Sequence, residues 1–182
     1  MNERKVDDGD LSVRCVARLT DDLLAQLSAV LIDCVEGGAS VSFLHPLTRE
    51  RALGFWRSVG ACVEAGSRAL IVAERGGEVV GTVQLVLEQP DNQPHRADLA
   101  KMLVHRGARR QGVGAALMRK AEEVARDRGK WLLVLDTASD AAERLYERAG
   151  WQRCGTVPDY ALLPRGGYCA TTFFYRKLDE GS

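Results

Sequence analysis

The chain has 182 residues, and its 25 lysines and arginines balance 25 aspartates and glutamates, so the formal net charge is zero. Because nucleic-acid-binding domains usually carry a basic excess, this balance argues against a nucleic-acid partner. Hydrophobic residues make up 46% and charged residues 27% of the chain, a globular composition that excludes extended disorder. The length suits one domain over residues 1–182, in which we expect the charged residues 1–10 to form a flexible leader.

The sequence also indicates in which cellular compartment the protein is expected. The longest apolar runs, such as Trp131 to Leu135, are too short to cross a bilayer, and residues 1–10 lack the apolar stretch of a secretory signal. The five cysteines have neither zinc-site nor redox-dithiol spacing, and the three histidines are isolated, so that His105 is interpreted as a solvated loop residue. We therefore expect a cytoplasmic protein with reduced cysteines, no metal ion and no membrane partner.

Apolar periodicity, together with glycine, proline and capping residues, predicts seven strands and four helices. Gly76-Gly77 between two apolar runs predicts an antiparallel hairpin, whereas the unit from Ala97 to Leu135 must be parallel because its crossover is a helix. The predicted fold is α/β, with a central mixed, mostly antiparallel sheet of about seven strands and helices on both faces. In chain order we predict a strand at 11–19, helices at 20–37 and 48–65, strands at 69–73, 79–87 and 97–104, a helix at 112–129, a strand at 131–135, a helix at 139–149, and strands at 151–157 and 169–177.

A basic loop with two glycines, Arg109-Arg110-Gln111-Gly112-Val113-Gly114, lies between a predicted strand and a predicted helix. Glycines let the backbone bend tightly, so that successive amides and the positive end of the helix dipole converge on one anion. The two arginines add positive charge suited to phosphate oxygens. The loop favours a pyrophosphate ligand, although a plain strand-to-helix turn with solvated arginines is the alternative.

The sequence narrows the choice of phosphate ligand. It lacks the Gly-Lys-Ser or Gly-Lys-Thr of a nucleotidase loop, and Leu117 stands where a dinucleotide-binding fold needs its third glycine. Asp136 does follow the next strand, about where such a fold places its ribose-binding acid. A dinucleotide-dependent oxidoreductase is therefore kept as a lower-ranked alternative.

The spacing Arg-x-x-Gly-x-Gly after the apolar pair Leu103-Val104 resembles the acetyl-CoA signature of the GNAT superfamily of N-acetyltransferases. That family has a later helix with Asn-x-x-Ala-x-x-x-Tyr followed by Gly-Phe. Residues 139–146 and Gly150-Trp151 are similar to it, with Ser139 in place of the asparagine. The order of elements is also similar, so the resemblance covers nearly the whole chain. Shorter strings at 37–41, 135–137 and 158–178 resemble a branch of the superfamily that acetylates a β-lactam toxin.

This resemblance implies a GNAT-like acyl-CoA acyltransferase fold. It implies an enzyme that transfers the acetyl group of acetyl-CoA, by direct attack in a ternary complex, to the amine of a small molecule such as a toxin, an antibiotic or an amino-acid-like compound. In the family two neighbouring parallel strands, here 99–104 and 132–136, splay apart around the pantetheine arm. Backbone groups of Met102 and Val104 would pair with its amides, and the amides of 110–115 would hold the pyrophosphate. The cofactor-binding residues implied are Met102, Leu103, Val104, Arg109, Arg110, Gln111, Gly112, Val113, Gly114, Ala115 and Ser139.

The resemblance also implies catalytic residues. Tyr146 takes the role of general acid, since a phenol with a pKa of about 10 can protonate a departing thiolate whose own pKa is about 8.5. Core packing is the alternative for Tyr146, because it lies on an apolar helical stripe. Asp98 and Asp136 are the candidate general bases, with a solvated strand-end charge and a helix cap as their respective alternatives.

The loops 37–43 and 158–168 are expected to form the acceptor pocket. Ser40, Phe43 and Tyr160 are the candidate contacts, and the two aromatic residues would otherwise be ordinary core or lid residues. A non-catalytic acyl-CoA sensor with the same fold is the second class of function, and retention of Tyr146 with two cleft carboxylates argues against it. The identity of the acceptor and the formation of a homodimer are left open by the sequence.

Overall fold

The computed structural model describes residues 11–178, which contain seven strands, four α-helices and one short 3₁₀ helix at Arg106–Ala108. The leader predicted for residues 1–10 lies outside the described part. The helices are α1 (Asp21–Glu36), α2 (Arg49–Glu64), α3 (Val113–Asp127) and α4 (Asp140–Arg148). The strands are β1 (Ser12–Val16), β2 (Arg68–Arg75), β3 (Glu78–Val86), β4 (Arg96–Val104), β5 (Leu132–Thr137), β6 (Gln152–Leu162) and β7 (Tyr168–Lys177).

The strands form one sheet in the order β1-β2-β3-β4-β5-β7-β6. All neighbouring pairs are antiparallel except β4 and β5, which are parallel because α3 connects them. Helices α1 and α2 pack on one face, against side chains such as Leu70 and Val72, and α3 packs on the other, against Ile71 and Val83. The predicted mixed sheet with helices on both faces is confirmed.

Local sequence sets the starts of the helices. Thr20 and Thr48, at the predicted starts of the first two helices, cap α1 and α2, and each side chain accepts a hydrogen bond from a backbone amide three residues later. Two glycines with positive φ, Gly76 and Gly77, make the tight turn between β2 and β3. These signals act within a few residues, so the sequence is sufficient to predict them.

The end of the chain departs from prediction. Strand β6 continues through Leu162, so the segment 158–168 is mostly part of a β6–β7 hairpin, and only residues 163–167 join the strands. Pro158 and Asp159, which read as turn residues, form a bulge in β6 instead, with Asp159 at φ +51°. Because β6 is the edge strand, it tolerates a proline that an inner strand would exclude.

A close contact between α3 and the sheet depends on Gly81 of β3. A Cβ atom placed there would lie 2.9 Å from Val113 Cγ1 and 3.1 Å from Leu117 Cδ1. The absence of a side chain thus lets the first turn of α3 rest directly on the strand. The loop that precedes α3 is held close to the sheet as a result.

Within the described residues, no helix has both the length and the apolar character needed to span a membrane. The five cysteines are all free thiols.

Candidate active site

Strands β4 and β5 are paired only where they begin. Arg96, Ala97 and Asp98 pair with residues 132–134, after which β4 runs on to Val104 without a partner in β5. Each strand keeps its other neighbour, since β4 remains paired with β3 and β5 with β7. The two strands therefore separate and leave a cleft in the middle of the sheet, as the family resemblance implied.

A β-bulge lies just beyond the last β4–β5 pair. The register of β3 against β4 shifts between Thr82 and Gln84, and Lys101 on β4 has a left-handed φ of +51°. A bulge inserts an extra residue on one strand and bends it. The bend thus comes where β4 leaves β5. This bulge could not be predicted from the sequence, because a lysine carries no signal for a positive φ.

The backbone of Val104 faces the cleft. The next residue, His105, donates its N–H to Val80 O of β3 at 2.9 Å, and alternation along the strand turns Val104 the other way. The Val104 carbonyl accepts hydrogen bonds from Arg109 Nε at 3.1 Å and from Cys34 Sγ at 3.6 Å. Through Nε, Arg109 therefore binds the end of β4, a contact that was not predicted.

The loop after β4 presents a row of free backbone donors. In the described part of the chain, the N–H groups of residues 110–115 have no backbone acceptor. Arg110 and Gly112 both have positive φ values, +60° and +81°, and such turns aim successive N–H groups into one concavity. The first turn of α3 contains no acidic residue and its N-cap makes no side-chain hydrogen bond, so the positive end of the helix dipole is uncompensated. This arrangement suits a phosphate anion.

The other predicted cofactor residues brace this loop or belong to the core. Gln111 donates Nε2 to Gly107 O at 3.0 Å and accepts from Arg75. A Cβ at Gly114 would lie 3.0 Å from Leu145 Cδ2, so this glycine lets α3 approach α4. Leu103 and Val113 are buried, Met102 and Ala115 are partly buried, and Ser139 caps α4 by accepting from Ala142 N at 3.3 Å.

Asp33 of α1 ties the same loop to the helix on the opposite face. Its carboxylate accepts from Arg106 N and from Arg106 Nε, both at 2.8 Å, and lies 3.5 Å from His105 Nε2. Burial by itself raises the pKa of Asp33, but the hydrogen bonds from Arg106 and the charges of His105 and Arg106 lower it below its ordinary value. A Cβ at Gly37 would lie 2.9 Å from Arg106 Cδ, so the absence of a side chain at Gly37 leaves room for Arg106 in this position.

His105, predicted to be solvated, is exposed, but it also takes part in this cluster by accepting from Gly107 N at Nδ1, at 3.1 Å. The role of Asp33 could not be predicted from the sequence, because an acidic residue on the polar side of a helix gives no sign of a distant partner.

Tyr146 of α4 is a core residue as well as a candidate acid. Its ring is only 3% exposed and packs on Trp151 and Phe174, with centroid distances of 5.7 and 5.8 Å. Burial, and to a smaller extent the negative charge of Asp136, raise the pKa of Tyr146 well above its ordinary value. The phenol therefore keeps its proton at neutral pH, and the packing predicted as its alternative role is present too.

Asp98 and Asp136 lie on the sheet face away from α3, because their neighbours Ala97 and Leu135 are buried beneath α3. Both carboxylate oxygens of Asp98 have partners: Oδ1 forms an ion pair with Arg96, and Oδ2 accepts a hydrogen bond from Gln89 Nε2 at 3.2 Å. Asp136 accepts from the buried Thr171 Oγ1 at 2.8 Å through Oδ2.

The alternative of a helix cap for Asp136 is wrong, because the side chains of Thr137 and Ser139 accept the hydrogen bonds in the turn before α4.

The three candidate acceptor residues make different kinds of contact. Ser40 donates to Leu162 O at 3.4 Å and accepts from Cys169 Sγ at 3.5 Å, which joins the loop after α1 to the β6–β7 hairpin. Phe43 packs edge-on against Phe55 at a centroid distance of 5.2 Å, within the cluster beneath α1 and α2. Tyr160 is 52% exposed, so its ring is accessible to a ligand.

Known proteins share this arrangement. Residues 26–151 match the Acetyltransferase (GNAT) family, and the chain belongs to that family. An uncharacterized N-acetyltransferase from the hisH-hisA intergenic region of Azospirillum brasilense is 31% identical over 129 residues, 70% of this chain and 75% of that protein. N-acetyltransferase 8 of Rattus norvegicus is 33% identical over 109 residues, 58% of this chain but 42% of that protein, so the match spans less than half of the rat relative.

Solved structures show the same fold. Ribosomal-protein-alanine N-acetyltransferase from Brucella melitensis superposes with a TM-score of 0.76 and 25% identity, covering 92% of this chain and 99% of that one. The protein yncA of Salmonella typhimurium, solved with its cofactor acetyl-CoA, has a TM-score of 0.75 and 20% identity over 94% of this chain and 96% of its own. The GNAT-like fold is confirmed. Membership of this family gives no support to the alternative of a dinucleotide-dependent oxidoreductase.

We expect Asp33→Asn to lower the free energy of unfolding by about 2 kcal/mol at pH 7, because hydrogen bonds to a charged group are lost. The pKa of Asp33 is lowered by folding, so its contribution is present above the unfolded value of about 3.9 and is lost as the pH falls through the folded value. Urea unfolding at pH 7 and at pH 3 should therefore show a smaller difference from wild type at the lower pH.

Glu36→Gln is the matched control for Asp33→Asn. Glu36 Oε2 lies 3.6 Å from Arg106 Nη2, but both side chains are about half exposed, and such pairs contribute less than about 1 kcal/mol. An Asp33→Asn protein as stable as the Glu36→Gln protein at pH 7 would show that Asp33 does not anchor the loop.

Proposed function

We propose that this protein transfers the acetyl group of acetyl-CoA to the amine of a small molecule. The observation that carries the proposal is the cleft between β4 and β5, with the unpaired amides of residues 110–115 at the end of β4 and Asp136 at the end of β5. Membership of the GNAT family supports it, as does the acetyl-CoA held by the similar structure from Salmonella typhimurium. Bound acetyl-CoA would supply an activated acetyl thioester.

The residues after β4 fit the pyrophosphate of acetyl-CoA. Six consecutive N–H groups, from Arg110 to Ala115, are free to donate to phosphate oxygens. No atom lies within 4 Å of a Cβ placed at Gly112, so the space beside these donors is open. The N–H groups of Met102 and Val104 are the candidates for pairing with the pantetheine arm, in the manner of an added strand. We assign Arg109 and Ser139 to positioning the loop and α4, since their side chains bind Val104 O and Ala142 N.

Proton transfer is assigned to two residues on opposite faces of the sheet, Tyr146 and Asp136. The attacking amine must lose a proton as its nitrogen bonds to the acetyl carbon, and the C–S bond must break with a proton delivered to sulfur. Tyr146 keeps its proton and can donate it to the departing thiolate. Asp136 is the better base, because both Asp98 oxygens are engaged by Arg96 and Gln89.

Three narrower expectations stay predictions. They are the resemblance to toxin-acetylating enzymes, the use of Ser40, Phe43 and Tyr160 as acceptor contacts, and the cytoplasmic location. The formation of a homodimer stays open.

We expect Gly112→Asp to abolish acetyl-CoA binding in a protein that still folds. Aspartate tolerates the left-handed region and is a good N-cap, so the helix persists, but its carboxylate repels phosphate at the free amides. Isothermal titration calorimetry measures the affinity. Gly129→Asp is the matched control. Gly129 follows the other end of the same helix, also has a positive φ (+68°), and has no atom within 4 Å of an added Cβ, so this variant should bind acetyl-CoA like wild type. Equal affinity of the two variants would remove the loop from the binding site.

We expect Tyr146→Phe to keep the fold and the acetyl-CoA affinity while kcat falls by about 10²- to 10⁴-fold, the usual contribution of general acid catalysis. The ring contacts with Trp151 and Phe174 survive, because only the hydroxyl is removed. Steady-state release of CoA measures the effect. Tyr175→Phe, which removes a hydroxyl bound to Gln152, is the control and should not alter kcat. An unchanged kcat in Tyr146→Phe, with chemistry rate-limiting, would count against the phenol as the acid.

We expect Asp136→Asn to lower kcat/KM by about 10²-fold or more and to remove an ionisation of the enzyme from its pH profile. Asp98→Asn should lower kcat/KM less, because both oxygens of Asp98 already bind Arg96 and Gln89. The pH dependence of kcat/KM for the two variants and wild type makes the comparison. If Asp98→Asn alone loses the ionisation, the assignment of the base is reversed. A wild-type profile in the double variant would exclude both carboxylates.

A further inference from the structure

Polar side chains gather on the face of the sheet away from α3, beside the point where β4 and β5 separate. Gln84 of β3 lies opposite Leu70 of β2 and opposite Ala100 of β4, one residue before the bulge at Lys101. Directly opposed residues share a face, and Arg68 shares it as well, two residues before Leu70. Leu70 packs in the cluster beneath α1 and α2. Arg68 and Gln84 therefore lie on the same face as Asp136.

Two cations in this cluster lack an anionic partner. Lys101 and Arg68 are partly buried, with Lys101 Nζ donating to Ser42 Oγ at 2.9 Å and Arg68 Nη1 donating to Gln84 Oε1 at 2.7 Å. Neither forms an ion pair with any residue that the structure describes. Burial lowers the pKa of Lys101, the charge of Asp136 opposes this shift, and the charge of Arg68 adds to it. The two cations are close enough to repel, so an anion beside them would be stabilised by both.

Gln84 contributes a third donor. Its side chain is fully buried, its Oε1 is taken by Arg68, and its Nε2 is enclosed with no acceptor in the described part of the chain. Asp98 does not neutralise this cluster, because its two oxygens already bind Arg96 and Gln89. Buried donors are nearly always paired in native proteins, so an unpaired one next to two cations indicates a missing acceptor.

We propose that Arg68, Gln84 and Lys101 form a carboxylate-binding subsite, and that the acceptor is an amino acid whose amine faces Asp136. The proposal rests on the acetyltransferase function proposed above and names its substrate class. A guanidinium, an ammonium and an amide N–H together match the lone pairs of a carboxylate. Asp136 at the end of β5 provides the opposite charge for a cationic amine. The face thus carries positive charge near β2 and β4 and negative charge on β5, which complements a zwitterion.

The test compares amino acids with their own carboxamides. Wild-type protein and acetyl-CoA are mixed with a pool of common L-amino acids or with the matching pool of amino acid amides, and acetylated products are identified by mass spectrometry. Release of CoA should be at least about 10-fold faster with the acids, since only they supply the missing anion. Arg68→Gln and Lys101→Met should raise KM for the best acid by about 10- to 100-fold and reduce the acid-to-amide ratio. Lys101→Arg retains the positive charge and should keep part of the acid-to-amide ratio that Lys101→Met loses.

Arg57→Gln, on an exposed position of α2, is the matched control and should leave the acid-to-amide ratio unchanged. The two proposals fail on different measurements. A lack of acetyl-CoA binding by calorimetry contradicts the acetyltransferase function itself. A protein that binds acetyl-CoA but acetylates the amides as fast as the acids, or acetylates neither pool, overturns the carboxylate subsite alone. The acid-to-amide ratio of the wild-type protein tests the carboxylate subsite even where Arg68→Gln or Lys101→Met does not fold.

Discussion

The separation of β4 from β5 is the structural feature on which the site depends. Unpaired backbone groups inside a sheet are unfavourable, because a buried N–H or carbonyl needs a partner. Here the Val104 carbonyl is satisfied by the side chains of Arg109 and Cys34. The sheet stays intact because each strand keeps its outer neighbour, β3 for β4 and β7 for β5. A gap can therefore exist in the middle of the sheet without loss of the surrounding structure.

The gap connects two faces of the sheet that carry different groups. On one face, α3 begins with free amides and Tyr146 of α4 packs in the same hydrophobic core as α3. On the other face lie Asp136, Lys101 and Arg68, beside the loop that follows α1. Asp33 connects the two sides, since it extends from α1 to the backbone and side chain of Arg106 in the loop before α3. A cofactor and an acceptor bound on opposite faces would meet through the gap, which suits direct transfer between them.

Much of the fold could be predicted, because its signals are local. The caps at Thr20 and Thr48 and the Gly76-Gly77 turn each act within a few residues. The order of helices and strands along the chain can be predicted from the pattern of apolar residues alone. The loop from Arg109 to Gly114 was identified in the same way, from glycines between a strand and a helix. Prediction failed at Pro158, where edge position in the sheet overrode the turn preference of the residue. It also missed the bulge at Lys101, which depends on pairing with a distant strand.

The sequence by itself determined the class of the fold, and it was sufficient to single out the loop proposed to bind phosphate and the residues proposed to transfer protons. Only the tertiary structure decided which partners these groups bind. Asp33 binds a loop 73 residues away, Lys101 binds Ser42 59 residues away, and Asp136 accepts from Thr171 35 residues away. Asp98 differs from Asp136 in that its partners, Arg96 and Gln89, are close to it in sequence. The physical reason is that caps and turns are satisfied by neighbouring backbone atoms, whereas the partners of a buried charge are brought to it by the order of strands in the sheet.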